Sequence, residues 1–229
     1  GARTKAGNGT LILSGASTYT AATNVDDGTL LVTGSLSAVS VVTVADGATL
    51  GGTGMVNGAV NVSSGGTLEA GSTLPTGVTT GILGTGSLSM AGNSKLSLEI
   101  NGVTAGNEYD QVNVTGTVNI EAANFDLSGT YLASIGSSDA FFLILNDGSD
   151  AVTGTFNNLP EGSTLFTPGG QQFILSYQAD VLNTTAENFG QAVGNDVALL
   201  AVPEPGVALS LMGGLTFLLG LTRFRRRQM

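Results

Sequence analysis

Apolar and polar residues alternate in short runs along most of the chain. In the segment AVNVS, Val60 and Val62 flank Asn61, and in VTVAD, Val42 and Val44 flank Thr43. A period of two residues places every second side chain on the same face of a β-strand. Asp-Gly and Ser-Gly pairs follow such runs, and glycine accepts the positive φ angles that tight turns require. The pattern predicts many short strands, each with one apolar face, joined by tight turns.

The strands recur at a nearly constant interval. Five leucines, each after a Gly-Thr, Ala-Thr or Gly-Ser pair, are spaced by 19, 20, 18 and 20 residues: Leu11, Leu30, Leu50, Leu68 and Leu88. Repeats of this length cannot bury their apolar faces alone, so they stack on one another. The sequence therefore predicts an all-β fold, a right-handed parallel β-helix (a β-solenoid) with rungs of about 20 residues.

The repeats also predict where side chains point. We expect Leu11, Leu30, Leu50 and Leu68 to share one buried column. Val25, Val44 and Val62, just upstream of the last three, should form a second inward row. The residue before each leucine then points outward, because neighbouring residues of a strand face opposite ways. These outward residues are Thr10, Thr29, Thr49 and Thr67.

Regularity divides the chain into three parts. Residues 1–103 hold the solenoid repeats. Residues 104–201 keep strand patterns with less regular spacing, and we expect terminal rungs followed by a capping β segment, because an open solenoid end must be covered. Residues 202–229 differ in composition from everything before them.

One repeat carries a family resemblance. The segment GTLILSGASTYTAATNVDDGTLLVTG, residues 9–34, resembles the autotransporter-associated β-strand repeat of bacterial surface proteins. The shared features are two Gly-Thr-Leu starts, a Leu-Ser-Gly and a Thr-Tyr-Thr, whereas Ala21 replaces a usual glycine and Ser17 a usual asparagine. The resemblance implies a secreted, β-helical surface segment and implies no chemistry.

The last part contains a long apolar run. Between Glu204 and Arg223 lie 18 uncharged residues, and a helix of that length spans roughly 27 Å, enough for the hydrocarbon core of a bilayer. Basic residues beside a span stay on the cytoplasmic side. We therefore expect one C-terminal transmembrane helix over residues 206–222, with the repeats outside the inner membrane. The alternative is a buried core helix followed by a basic surface patch. The basic cluster that orients the span is Arg223, Arg225, Arg226 and Arg227.

The C-terminal segment resembles the PEP-CTERM sorting signal, because it contains a short motif, then the apolar span, then the arginine cluster. The motif residues are Val202, Pro203, Glu204 and Pro205. The resemblance implies an exosortase-type processing protease as partner, and inner-membrane anchoring through residues 206–222 before processing. It also implies a final place at the cell surface or in the extracellular matrix of a Gram-negative-type bacterium. Because the sequence begins without Met or an apolar leader, we expect further repeats and a signal peptide upstream.

Composition argues against several kinds of chemistry. The chain has no Cys, His or Trp, so the usual ligands of zinc, copper and haem are missing and we expect no metal or cofactor. The first 202 residues carry 3 basic and 16 acidic side chains, a net charge of −13. A surface this acidic repels phosphate, so we expect no nucleic-acid partner.

Catalytic carboxylates are the remaining enzymatic option, because parallel β-helices often host polysaccharide lyases and hydrolases. The acidic side chains that lie close together in the sequence sit beside Gly or Asn, where local hydrogen bonding favours them in turns. We therefore expect no catalytic residues. These carboxylates are Asp26 with Asp27, Glu108 with Asp110, and Asp147 with Asp150.

Three functions follow from these observations. We expect a non-enzymatic structural or adhesive surface protein, with extracellular polysaccharide as a partner. The alternatives are a carbohydrate-active β-helix enzyme and an ice- or surface-binding module that uses the outward threonines. Ice binding favours a flat threonine array two residues wide. This chain offers one threonine per rung, and the row fades at Ser87, so we interpret the threonines as outward strand formers.

Overall fold

A computed structural model describes residues 1–71, 80–133, 139–168, 170–181, 189 and 194–202. These residues form 21 strands and no helix. The strands are β1 (Arg3–Lys5), β2 (Thr10–Leu13), β3 (Thr23–Val25), β4 (Thr29–Val32), β5 (Ser35–Leu36), β6 (Val42–Val44), β7 (Thr49–Gly52), β8 (Met55–Val56), β9 (Val60–Val62), β10 (Thr67–Ala70), β11 (Ile82–Thr85), β12 (Leu88–Met90), β13 (Lys95–Glu99), β14 (Gln111–Val114), β15 (Val118–Glu121), β16 (Asn124–Ser128), β17 (Ala140–Asn146), β18 (Thr153–Thr155), β19 (Thr164–Phe166), β20 (Gln172–Ala179) and β21 (Asp196–Val202).

The strands stack into three sheets that the chain visits in turn. The first sheet has the order β1-β3-β6-β9-β12-β15-β18, the second β16-β13-β10-β7-β4-β2, and the third β19-β20-β21-β17-β14-β11-β8-β5. From β1 to β18 every pairing within these sheets is parallel. Each circuit through the three sheets is one rung, consistent with the predicted parallel β-helix. Its right hand stays a prediction.

The predicted leucine column forms in the second sheet. Leu11, Leu30, Leu50 and Leu68 lie in register on successive strands, and the last three are completely buried. Leu11 ends the column and is 42% exposed, because β2 is the outermost strand of its sheet. The threonines beside these leucines also align, and none of the four is buried.

Leu88, the fifth leucine of the regular spacing, does not continue this column. Leu88 lies in the first sheet, between Val60 and Val118, and Leu96 takes the next place after Leu68. The chain between β10 and β11 is longer than the matching connections of earlier rungs, so the interval from Leu68 to Leu96 is 28 residues. A rung of about 20 residues therefore describes only the first rungs.

The first sheet supplies the second inward row. Val25, Val44 and Val62 lie in register as predicted, and Met90 and Ile120 extend the row. All five side chains are at most 2% exposed. The strands that carry the three valines alternate buried ends with a less buried centre, so the two-residue period of the sequence correctly indicates one apolar face.

Close contact between rungs requires glycine at the end of β7. Gly52 has φ +126°, and a Cβ atom there would overlap the carbonyl oxygen of Val32 on the adjacent rung. No other residue adopts this φ without strain or leaves room for that oxygen. At this point the glycine sets how closely the backbones of two rungs can stack.

Antiparallel strands close the C-terminal end of the described part. β21 pairs antiparallel with β17, β20 with β21, and β19 with β20, so they extend the third sheet beyond the parallel stack. Phe141 is in edge-to-face contact with Tyr109, Tyr131 and Phe173, at ring-centre distances of 5.3, 4.8 and 5.7 Å. This aromatic cluster joins the last parallel rung to the antiparallel strands, which we term the cap (β17 and β19–β21).

The predicted division at residues 103 and 104 stays a prediction, and strands on both sides of it belong to the same three sheets. The predicted transmembrane helix over 206–222 lies outside the described residues. Among the residues that the structure does describe, no helix is long and apolar enough to cross a bilayer.

Candidate functional site

The predicted sorting motif starts where the last strand ends. Val202 is the final residue of β21 and lies in register with Gln172 of β20. Pro203, Glu204 and Pro205 lie outside the described residues, as does the arginine cluster at 223–227. The structure therefore locates the first residue of the motif and the surface from which the following chain departs.

A buried glutamine holds that departure point. Gln171 is 1% exposed, and its side-chain Nε2 donates hydrogen bonds to the carbonyl oxygens of Val202, at 2.8 Å, and Gln172, at 2.7 Å. Its Oε1 accepts from the backbone N–H of Ala133 at 2.7 Å. The backbone of Gln171 also exchanges hydrogen bonds with Thr167, donating to the hydroxyl at 3.2 Å and accepting from the N–H at 3.0 Å.

These contacts tie three separate segments to one residue, two of them through its side chain and the third through its backbone. Gln171 joins the end of β21, the segment that follows Tyr131 and the turn after β19, so the backbone of Val202 is fixed relative to the cap. Both polar atoms of its amide are engaged, as a buried amide requires. Nothing in the local sequence pattern indicates this role of Gln171, since all its side-chain partners are backbone groups and two of them are distant in sequence.

The interpretation of the acidic pairs as turn residues is right for some members and wrong for one. Asp27 accepts a hydrogen bond from the N–H of Gly28 at 2.8 Å, and Glu108 accepts from Val103 and Thr104 at 3.1 and 2.9 Å. Asp147 and Asp150 are exposed in the loop after β17. All four are local loop residues.

Asp110 departs from that interpretation because it is buried. It is 2% exposed, and its two carboxylate oxygens accept hydrogen bonds from the N–H groups of Gly81, at 2.7 Å, and Glu99, at 2.8 Å. Burial raises the pKa of Asp110 to about 7. The two hydrogen bonds lower this pKa, and the negative charges of Glu99 and Glu69 raise it further. Asp110 thus links segments that lie far apart in sequence, which a turn residue does not do.

A surface groove between β18 and the cap contains side chains that already have structural partners. It has a volume of about 440 Å³ and contains Glu161 and Tyr177. The Tyr177 hydroxyl donates to the carbonyl of Leu159 at 2.7 Å and accepts from the N–H of Phe156 at 2.9 Å, and burial raises its pKa to about 12. Glu161 accepts from the N–H of Tyr177 at 2.7 Å. No group of three or more His, Cys, Asp or Glu in the described ranges could hold a metal ion.

The tyrosine of the Thr-Tyr-Thr motif has a specific structural place. Its hydroxyl, on Tyr19, is 2.8 Å from the hydroxyl of Thr23, which is 3.2 Å from that of Ser40 on the next rung. Ser40 in turn donates to the carbonyl of Ala21 at 2.8 Å, and the guanidinium of Arg3 lies 4.6 Å from the centre of the Tyr19 ring. The motif therefore fastens the turn between β2 and β3 to the adjoining rung.

Comparison with known families matches this same region. A family model described as passenger-associated-transport-repeat matches residues 4–32, which run from β1 to the end of β4. The match supports an autotransporter-associated repeat at these residues and an exported, autotransporter-related repeat protein. No curated protein and no solved structure matches the chain.

Proposed function

We propose that this chain is an exported, non-enzymatic β-solenoid that serves as a structural or adhesive element at the bacterial cell surface. An exosortase-type protease processes it at residues 202–205. Before processing, residues 206–222 hold it in the inner membrane, and afterwards the repeat domain resides at the cell surface or in the extracellular matrix of a Gram-negative-type bacterium.

The position of Val202 carries this proposal. A sorting motif must be accessible to a membrane protease while the domain before it is folded. β21 ends at Val202, whose carbonyl is bonded to Gln171, and the Pro-Glu-Pro, the uncharged run and the arginines follow in order. The described part of the cap thus reaches the first residue of the motif, and a cut after Val202 would leave all of β21 in place.

The outer surface of the first sheet supports a structural or adhesive role. Its strands present one uncharged polar residue each along a continuous row, and none of these side chains is buried. Amide and hydroxyl groups spaced by about 4.8 Å offer repeated hydrogen-bond partners to a polysaccharide chain. The row is Thr4, Asn24, Thr43, Asn61, Ser89, Asn119 and Thr153.

The two alternatives have less support. A carbohydrate-active enzyme needs free carboxylates that converge, whereas Asp110 and Glu161 are bound to backbone N–H groups. An ice-binding face needs a wide threonine array, whereas Lys95 and Asn124 follow Thr67 in its row, and Glu69 lies in the next outward row.

The test is expression of the chain in a host that carries the matching protease. We expect the unmodified chain to lose its tail, and Pro203→Ala with Glu204→Ala to stay uncleaved in the membrane. Pro160→Ala, which removes an exposed proline outside the motif, is the matched control and should be cleaved normally. Replacement of the four arginines by Gln should weaken retention and orientation, because the positive-inside preference is lost. An unmodified chain that keeps its C-terminus, or stays cytosolic, contradicts the proposal.

A separate assay addresses the enzymatic alternative. The chain in mild detergent is incubated with pectins, alginates and other glycans, with and without calcium. We expect no turnover. Turnover that disappears on replacement of Asp147 and Asp150 by Asn would establish the alternative.

A further inference from the structure

The cap is predominantly apolar on its outer face as well as on its inner face. The inner face is the core side, where Phe141, Phe173 and Leu199 are completely buried. Sheets in soluble proteins that are covered on one side usually alternate apolar with polar residues. Here most of the alternate positions are also apolar, although Thr164, Gln172 and Ser176 share their face by strand register. We term the larger apolar members of this face, with Ala140, the exit face: Ala140, Phe142, Phe166, Ile174, Leu200 and Val202.

The exit face is incompletely covered. Phe166 is 62% exposed on β19, which has no partner on its outer side among the described strands, while Ile174, Leu200 and Val202 are half-buried. Leu132, which precedes the residue bonded to Gln171, is also 62% exposed. An apolar edge strand invites association unless something covers it. The exit face carries no charged residue, in an otherwise acidic domain.

The exit face surrounds the point from which the chain continues towards the apolar run. Phe166, Gln172 and Val202 lie in one row across three strands, so Phe166 is two strand spacings, about 10 Å, from Val202. Residues 203–205 separate Val202 from the uncharged span. Four Cα steps reach at most about 14 Å, and the polar layer of a bilayer is roughly 5 to 8 Å thick on each side. A span that begins at residue 206 therefore keeps the exit face beside the headgroup layer.

We propose that the exit face is a membrane-contact surface that rests in the interfacial layer of the bilayer holding residues 206–222. This inference rests on the proposed function of the tail. The apolar side chains around Val202 enter the lipid interface, and Gln171 keeps the end of β21 fixed while they do so. Apolar burial drives the contact, since the net negative charge of the repeat domain gives it no attraction to anionic headgroups.

The absence of Trp from the chain makes the test direct. The full-length variant Phe166→Trp is reconstituted in phosphatidylcholine vesicles, and its emission is measured with ordinary lipid and with lipid brominated on the acyl chains. Val39→Trp is the matched control, because Val39 is also 62% exposed. It follows β5, which lies five strand spacings from β21, about 24 Å. Flotation of the vesicles and protease protection of the arginine cluster report separately whether the tail spans the bilayer.

We expect the indole of Phe166→Trp to emit at shorter wavelength in vesicles and to lose most of its emission to brominated lipid, with Val39→Trp unaffected. If the chain spans the vesicles but bromine leaves Phe166→Trp unquenched, the exit face does not touch lipid and the inference fails, while the proposed function stands. A blue-shifted emission that bromine does not change means that protein, such as the tail itself, covers the face, and this also overturns the inference. A chain that does not float with vesicles overturns both proposals.

Discussion

The leucine column offers a prediction with an internal control, because one of its members lies at an open end. Leu68 is completely buried between Leu50 and Leu96 in the second sheet. Leu11 is also a leucine in the same register, but it is 42% exposed because β2 is the outermost strand of the sheet. Replacing each leucine by Ala removes the same atoms. Leu68 has a neighbouring rung on both sides, whereas Leu11 has one on a single side only.

The expected cost at Leu68 follows from burial and from the space left behind. Loss of about three buried methylene equivalents costs about 2.4 kcal/mol. Parallel pairing fixes the strands on both sides of β10, so the site collapses little, and an unfilled volume of about 40 Å³ adds about 1 kcal/mol. We therefore expect Leu68→Ala to lower the free energy of unfolding by about 3 to 3.5 kcal/mol, and Leu11→Ala to lower it by about 1 kcal/mol or less.

Urea unfolding of the full chain in mild detergent, followed by circular dichroism, measures both values. Stacked repeats can lose their cooperativity when one interface weakens, so the dependence on urea concentration is compared between the variants before free energies are taken. Equal costs at Leu68 and Leu11 would refute the buried column, since the two leucines share residue type and register and differ in burial.

Three further predictions concern single residues. Gly52→Ala should lower the free energy of unfolding by more than Gly47→Ala, because both glycines have positive φ but, of the two, only Gly52 lacks room for a Cβ atom. The positive φ alone costs a residue with a side chain roughly 1 to 2 kcal/mol. Equal urea midpoints for the two variants would contradict the close approach of the rungs at Gly52. Burial raises the pKa of Asp110 from 3.8 to about 7, so between these values the folded state binds more protons than the unfolded state, and stability from this group should fall as pH rises through that window. Urea unfolding at several pH values should show this fall in the native chain and a smaller one in Asp110→Asn. Gln171→Ala should accelerate hydrogen exchange at the amide of Ala133, because this half-buried N–H loses its acceptor at a cost of about 0.5 to 1.5 kcal/mol. Unchanged exchange, measured by mass spectrometry, would show that the side chain of Gln171 does not hold this segment.

Much of the solenoid could be predicted from local sequence. The two-residue alternation around Val44 and Val62 depends only on strand geometry and solvent, and both residues are buried in register as expected. The Gly-Thr-Leu repeats likewise placed Leu30, Leu50 and Leu68 in one column. Local pattern was sufficient there because each rung repeats the same strand lengths and turns as its neighbour.

The regular spacing of leucines stops indicating one column where the length of a rung changes. Leu88 follows a Gly-Ser pair and fits the interval, but the longer connection before β11 shifts it into the first sheet. Counting residues cannot distinguish a strand of one sheet from a strand of another, since both alternate with the same period. Only the pairing of β12 with β9 and β15 assigns it.

The sequence by itself determined the all-β class, the repeated inward rows and the abrupt change of composition after Val202, because each depends on the order of residue types along the chain. The tertiary structure alone decided that Asp110 is a buried link and that Gln171 fixes the end of β21. It also decided that the outer side of the cap around Val202 is predominantly apolar. These features depend on backbone groups and strands brought together from distant positions in the chain, and a hydrogen bond to a distant backbone group leaves no pattern in the local sequence.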